Sequence, residues 1–128
     1  MEYLLDTGNL GEIKEINSLF PIVGVTTNPT IIANENGDYR KIINGILEII
    51  GTEKMLHVQT LGRTADVIIK EAKLLKENFK GNLYIKIPVA AEGLKAMSKL
   101  KKEGFKITAT GILTSQQIVM AAEAGADY

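Results

Sequence analysis

A single lysine interrupts one of the apolar runs of the sequence. The run LYIKIPV spans residues 83–89, and Lys86 is its only charged residue. Burial of an amine lowers its pKa, and the neutral amine attacks carbonyl groups to form a Schiff base. In a solvent-facing strand, by contrast, a lysine usually protects a sheet edge against aggregation. We expect this strand to be buried on both sides, with Tyr84, Lys86 and Pro88 on one face, and burial favours a catalytic nucleophile.

Short polar side chains stand at the ends of the apolar runs. Ligands of parallel α/β folds bind at the carboxyl ends of strands, so polar residues at these ends predict one shared site. Each also has a structural explanation. Asp6 could begin a turn or cap a helix, Asn28 precedes Pro29 as an ordinary loop opener, and the others could satisfy backbone groups at a strand end. The candidate residues are Asp6, Thr26, Asn28, Gln59, Thr108 and Thr110, together with Lys86.

Other catalytic chemistries have little support in the sequence. His57 is the only histidine, and a lone histidine is more often a packing residue than a base. The sequence has no metal-ligand cluster, glycine-rich phosphate-binding motif or serine nucleophile elbow. It also has no cysteine, which excludes disulfides, thiol catalysis and thiolate metal sites. We therefore predict neither a metal nor a cofactor.

The elements that would position the candidate residues alternate along the chain. Five helix-like segments accompany the apolar runs, and Thr114 with Gln117 predicts a capping box for the last of them. Strict βα alternation predicts an α/β fold with a parallel sheet, in a single domain over residues 1–128. Both a doubly wound sheet and a (β/α)8 TIM barrel fit, and the length favours the former because a barrel usually takes about 250 residues. The runs are 2–7, 22–29, 55–61, 83–89 and 106–112, and a sixth is predicted to begin at 126–128.

The composition excludes several classes of function. The chain has 128 residues, 45% of them hydrophobic and 23% charged, which is enough for one domain with a sizeable core. Fifteen basic and fifteen acidic residues are dispersed, so no basic face for nucleic acid or an anionic membrane is predicted. An acidic residue near the N-terminus and the lack of a long apolar run argue against a signal peptide or a membrane anchor. We expect a cytoplasmic protein.

Four motifs of the sequence resemble one enzyme family. LDTGN at 5–9, GVTTNPTII at 24–32, IKIPVAAEGLKA at 85–96 and the AEAGADY ending are similar to the short transaldolase and fructose-6-phosphate aldolase family. The resemblance runs the whole length of the chain. It implies a (β/α)8 barrel in place of the open sheet, with a class I, Schiff-base mechanism. This chain would hold about five βα units of that barrel and the start of strand six.

The resemblance also implies a role for each polar residue. Lys86 matches the Schiff-base lysine of the fourth strand. Asp6 matches a carboxylate that contacts donor hydroxyls and helps to handle protons at the C–C bond. Thr26 and Asn28 match a polar pair after the second strand, of which Asn28 holds a hydroxyl of the dihydroxyacetone unit. Thr110 matches a threonine that helps to position the catalytic water.

Two positions bear on the choice of activity. Transaldolases of this family carry a glutamate where this chain has Gln59, and an amide cannot exchange a proton. Glutamine here resembles the fructose-6-phosphate aldolases, in which a sixth-strand tyrosine takes over. Thr108 departs from both branches, which have asparagine or an apolar residue. We predict a class I aldolase that cleaves fructose 6-phosphate to dihydroxyacetone and glyceraldehyde 3-phosphate. The alternatives are a transaldolase that transfers a dihydroxyacetone unit between sugar phosphates, and a non-catalytic partial barrel that serves as an assembly module.

The sequence stops at Tyr128, where the sixth strand would begin. The family's sixth-strand tyrosine, the arginine after it and a seventh-strand serine that helps to bind phosphate would follow this point. We therefore expect the chain to be the N-terminal part of a longer barrel. The resemblance implies a sugar phosphate or dihydroxyacetone as the small-molecule partner, and a homo-oligomer. It implies no nucleic acid and no membrane partner.

Overall fold

Strands and helices alternate along the chain in a computed structural model that describes residues 1–35 and 37–128. The residues form two compact units, one of residues 1–58 with 79–83 and one of residues 59–78 with 84–128. The elements are β1 (Leu4–Asp6), α1 (Leu10–Leu19), β2 (Gly24–Thr26), α2 (Pro29–Asn34), α3 (Tyr39–Ile50), β3 (Met55–Gln59), α4 (Ala65–Asn78), β4 (Asn82–Pro88), α5 (Ala91–Lys102), β5 (Lys106–Thr110) and α6 (Ser115–Glu123). The predicted α/β class is therefore confirmed, whereas the single domain over residues 1–128 stays a prediction.

In the first unit, β2 pairs in parallel with β1 on one side and with β3 on the other. Helix α1 packs on α3. The core is formed by branched aliphatic side chains of α1, β2 and β3, together with four isoleucines at helical spacing along α3. Fully buried members of this core are Ile13, Val25, Ile43, Ile46 and Leu56.

In the second unit, β4 pairs in parallel with β5 over five register positions. Ile85 and Ile87 are buried on one face of β4, and Met97 and Leu100 of α5 are fully buried as well. The chain that leaves β3 runs beside the other edge of β4, because the Thr60 N–H donates to the Lys86 carbonyl at 3.1 Å in the same ladder geometry. Within each unit, strands that pair with one another are also consecutive in the chain. That order is the one found in a (β/α)8 barrel, whereas a doubly wound sheet reverses it.

Helix α2 was not among the five predicted helical segments. The run 22–29 contains a strand only at Gly24–Thr26, and Pro29 begins the helix. Asn28 caps it, since its side chain accepts a hydrogen bond from the Ile31 N–H, and a proline is well suited to the first helical position. A helix of six residues is too short to show a clear apolar period, so the sequence pattern did not reveal it.

Two predicted local features can be checked at the C-terminal end. The capping box of Thr114 and Gln117 at the start of α6 is confirmed. Residues 126–128 are not assigned as a strand, yet they hydrogen-bond to β5 where a sixth strand would pair. The Asp127 N–H donates to the Ile107 carbonyl at 2.8 Å, and the Ala109 N–H donates to the Tyr128 carbonyl at 2.7 Å. Among the residues that the structure describes, no helix has the length and apolar character needed to cross a membrane.

Candidate active site

Asp6 and Thr26 form a hydrogen-bonded pair at the carboxyl ends of β1 and β2. The parallel register places the two residues opposite one another, and therefore on the same face of the sheet. The Thr26 hydroxyl donates to Oδ1 of Asp6 at 2.6 Å. Asp6 is exposed and Thr26 is half-buried. The threonine thus holds an accessible carboxylate in one orientation, which suits a group that contacts substrate hydroxyls.

Asn28 has a structural task at the start of α2. Its Oδ1 accepts the Ile31 N–H at 2.9 Å, which satisfies one of the backbone donors that a helix leaves open at its first turn. The loop-opener explanation offered by the sequence is therefore partly right, because the residue ends the loop and caps a helix. With Oδ1 engaged, the amide orientation is fixed and the Nδ2 group is the end that can donate to a ligand oxygen.

The loop after Asp6 is tied down by side chains that the sequence analysis did not select. The Thr7 hydroxyl donates to Oε2 of Glu12 at 2.8 Å, and it accepts the Asn9 N–H at 3.1 Å. The Asn9 amide in turn donates to Oε2 of Glu35, at the end of α2, at 3.3 Å. These bonds connect residues up to 26 positions apart in the chain. Such pairings are not visible in local sequence patterns.

Lys86 lies in the middle of β4 with Thr108 of β5 opposite it. It is half-buried, as are its face neighbours Tyr84 and Pro88, whereas Ile85 and Ile87 on the other face are buried. The expected burial on both sides is therefore wrong, because side chains alternate between the faces and only one face of β4 is fully covered. A half-buried lysine can be reached from solvent, which a residue that attacks a dissolved ketone requires.

Gln59 lies beside Lys86. In a parallel ladder of this unit, the Val89 N–H donates to the Thr110 carbonyl at 2.8 Å, and the residue before the donor, Pro88, lies opposite Thr110. By the same rule, the bond from the residue after Gln59 to the Lys86 carbonyl places Gln59 opposite Lys86. Three neighbouring strands therefore present Gln59, Lys86 and Thr108 in one row.

Thr110 follows Thr108 on the same face, one step nearer to the carboxyl end of β5, and both are half-buried. The predicted residues thus fall into two groups. Asp6, Thr26 and Asn28 belong to the first unit, and the other four belong to the second. Each group is brought together within its own unit.

Thr27 is a buried polar residue that the sequence analysis passed over. Its N–H and its hydroxyl both donate to the His57 carbonyl, at 3.0 and 2.9 Å. His57 itself is fully buried in β3, as expected for a packing residue. Within the described residues, no group of three or more histidine or carboxylate side chains could hold a metal ion.

Comparison with known proteins identifies the family. The family described as "Transaldolase/Fructose-6-phosphate aldolase" matches residues 3–128. The chain belongs to this family. The resemblance carried by the four sequence motifs is therefore confirmed, and with it the assignment of the βα units to a partial barrel.

Individual relatives in the transaldolase/fructose-6-phosphate aldolase family carry both names. A "Probable fructose-6-phosphate aldolase" of Streptococcus pneumoniae (strain ATCC 700669 / Spain 23F-1) is 43% identical over 129 residues. A "Probable transaldolase" of Thermoanaerobacter sp. (strain X514) and one of Streptococcus pyogenes serotype M5 (strain Manfredo) are each 42% identical over 128 residues. Each match covers all of this chain, which spans 58% of the length of these relatives.

Proposed function

We propose that the chain carries the Schiff-base chemistry of a class I aldolase that cleaves fructose 6-phosphate. The observation that supports this most directly is the row of Gln59, Lys86 and Thr108, in which a half-buried lysine lies between two polar neighbours on one face of parallel strands. Family membership supports the same proposal. The dihydroxyacetone unit is the donor, and glyceraldehyde 3-phosphate is the aldehyde product.

The proposed reaction begins at the Lys86 amine. The neutral amine attacks the C2 carbonyl of the ketose, and loss of water from the carbinolamine leaves an iminium. The iminium accepts the electron pair of the C3–C4 bond as this bond breaks, while the C4 hydroxyl gives up its proton and becomes the aldehyde. The resulting enamine is protonated at C3. Water then hydrolyses the iminium, releases dihydroxyacetone and restores the amine.

The other residues take supporting roles in this proposal. Asp6, oriented by Thr26, contacts donor hydroxyls and assists proton transfer. Asn28 donates through Nδ2 to a donor oxygen, since its Oδ1 caps α2. Thr110 helps to position the hydrolytic water, and Thr108 lines the substrate side of Lys86.

Gln59 favours cleavage over transfer. An amide holds a hydrogen-bonded partner but cannot act as a general acid or base, whereas the glutamate of the transaldolase branch can. Transaldolase activity is the second candidate, because two of the relatives are named for it. A non-catalytic assembly module is the third. A homo-oligomer, a cytoplasmic location and the absence of nucleic-acid and membrane partners stay predictions.

Reductive trapping tests the proposal. Incubation of the chain with dihydroxyacetone and borohydride should give a stable secondary amine on Lys86, located by peptide mass mapping. Lys86→Met should abolish the adduct entirely. Lys106→Met is a matched control, since Lys106 is an exposed lysine of the neighbouring strand, and it should leave the adduct unchanged.

Three outcomes separate the candidate functions. An adduct with release of free dihydroxyacetone from fructose 6-phosphate, without any aldose acceptor, supports the aldolase. Turnover that requires an aldose acceptor supports the transaldolase. A folded chain that forms no Lys86 adduct refutes both and leaves the assembly module.

A further inference from the structure

The loop that follows Gln59 is fastened by a carboxylate from the helix after it. Leu61 and Gly62 are consecutive loop residues, and both backbone N–H groups donate to Oε2 of Glu71 in α4, at 2.7 and 2.9 Å. Glu71 is half-buried. Hydrogen bonds from backbone donors to a carboxylate are charge-assisted and stronger than neutral ones. One glutamate oxygen therefore fixes the first turn of the loop.

A second carboxylate fastens the far end of the same loop. Oε2 of Glu92 accepts the Ala65 N–H, at the start of α4, at 2.7 Å. Glu92 lies in the first turn of α5, immediately after the strand of Lys86. The next residue, Gly93, packs so closely on the end of β4 that a Cβ would lie 2.0 Å from the Pro88 carbonyl oxygen. The AEG part of the IKIPVAAEGLKA motif thus connects two neighbouring βα loops.

Together these bonds account for most of the loop's backbone donors. The Thr60 N–H donates to the Lys86 carbonyl. The Leu61 and Gly62 N–H groups donate to the Glu71 carboxylate, and the Ala65 N–H donates to the Glu92 carboxylate. Loop residues 60–65 begin directly after Gln59. Gln59 is the last residue of β3. The conformation of the loop therefore determines whether Gln59 stays paired with Lys86 of β4.

We propose that Glu71 and Glu92 are positioning residues that hold Gln59 opposite Lys86 by fastening the loop between β3 and α4. This inference rests on the proposed function. In this proposal neither Glu71 nor Glu92 contacts the substrate. Loss of either one would let the loop sample other conformations, so only a fraction of molecules would present Gln59 to a donor bound at Lys86. A smaller competent fraction weakens the apparent affinity in proportion.

The test measures how Lys86 trapping by borohydride depends on dihydroxyacetone concentration. For Glu71→Ala we expect the half-saturating concentration to rise about tenfold, with the maximal yield of adduct retained, because the competent fraction falls. Glu71→Gln keeps an oxygen that can accept both N–H groups and should stay within about threefold of wild type. Glu92→Ala removes one bond rather than two and should give an intermediate rise. Faster amide exchange at Leu61 and Gly62 should accompany the Glu71→Ala effect.

Two controls separate positioning from a general loss of stability. Glu77→Ala removes an exposed carboxylate from the same helix and should change neither readout. In a Gln59→Ala background, Glu71→Ala should add little, because residues that act through one another are not additive. If Glu71→Ala does not fold, the comparison of Glu92→Ala with Glu92→Gln replaces it.

The outcomes are distinct for the two proposals. A wild-type chain without a Lys86 adduct refutes the proposed function, and the positioning role falls with it. A wild-type adduct, with equal half-saturation for Glu71→Ala and wild type, overturns the positioning role alone. A full additional effect of Glu71→Ala in the Gln59→Ala background also overturns it.

Discussion

The two units hold their candidate residues by different means. In the first unit, side chains bond to one another or to a helix end. Thr26 orients Asp6, and Asn28 is fixed by the cap of α2. In the second unit, backbone hydrogen bonds between strands place Lys86 and Thr110. The Thr60 N–H bonds to the Lys86 carbonyl, and Thr110 accepts the Val89 N–H through its carbonyl.

The difference matches what each kind of group must do in the proposed reaction. A carboxylate or amide that contacts donor hydroxyls needs one orientation, so a fixed side-chain partner helps it. A Schiff-base lysine passes from amine to carbinolamine to iminium and back, and no single hydrogen-bond partner suits all of these states. Placement through the strand fixes the origin of the Lys86 side chain.

The largest expected effect concerns the backbone packing of the second unit. Gly93 is the third residue of α5, and a Cβ there would lie 2.0 Å from the Pro88 carbonyl oxygen. Gly93→Ala should therefore push the helix away from β4 and lower the free energy of unfolding by about 3 kcal/mol, the upper part of the range for overpacking. Urea denaturation followed by circular dichroism measures this change.

A glycine in the first turn of a helix of the first unit is the control. Gly11 is the second residue of α1, and a Cβ there would meet only Oδ1 of Asn9, at 3.2 Å. Gly11→Ala should be close to neutral, because better helix propensity offsets a small adjustment of that side chain. If Gly93→Ala lowered the free energy of unfolding no more than Gly11→Ala does, close backbone packing at Gly93 would not be important for the stability of the second unit.

The next effect concerns the two tasks of Asn28 in the first unit. Asn28→Ala should lower the free energy of unfolding by about 1 kcal/mol through loss of the helix cap. It should also weaken dihydroxyacetone trapping at Lys86. Asn28→Asp keeps the capping oxygen but has no Nδ2 donor, so stability should be retained while trapping is weakened. Thermal unfolding and the trapping assay measure the two properties separately.

Asp38 is the matched control for Asn28, because it caps a helix but has no proposed contact with the substrate. Its Oδ1 accepts the N–H groups of Arg40 and Lys41 at the start of α3, at 2.8 and 3.2 Å. Asp38→Ala should cost about as much stability as Asn28→Ala, about 1 kcal/mol, and leave trapping unchanged. Unchanged trapping in Asn28→Asp would contradict the donor role of Asn28.

Local patterns were sufficient for much of the fold. The βα alternation follows from apolar periods, and the capping box of Thr114 and Gln117 follows from a four-residue pattern. The polar residues at strand ends led to two clusters because parallel strands place their carboxyl ends on the same side. The motif around Lys86 and the TTNP segment identified the family.

The remaining features depend on partners distant in sequence. The burial of β4 on one face only could not be read from LYIKIPV, because which face is covered depends on other elements. Glu71 bonds to residues 9 and 10 positions away, and Glu92 bonds to Ala65, 27 positions away. A glutamate on a helix surface has the same local sequence pattern whether or not it bonds to a loop. The sequence alone therefore did not distinguish Glu71 and Glu92 from the other glutamates of the chain.

The smallest expected effect concerns the surface ion pairs of the second unit. Lys73 and Glu103 approach to 2.8 Å, but their side chains are 46% and 45% exposed. Water and salt screen such a pair, and ordering two long side chains costs entropy, so Lys73→Met should lower the free energy of unfolding by about 0.5 kcal/mol or less. The difference from wild type should vanish in about 1 M sodium chloride, where screening acts within a few ångströms. A loss as large as that of Gly93→Ala, persisting in salt, would mean that charge pairs rather than backbone packing hold the second unit together.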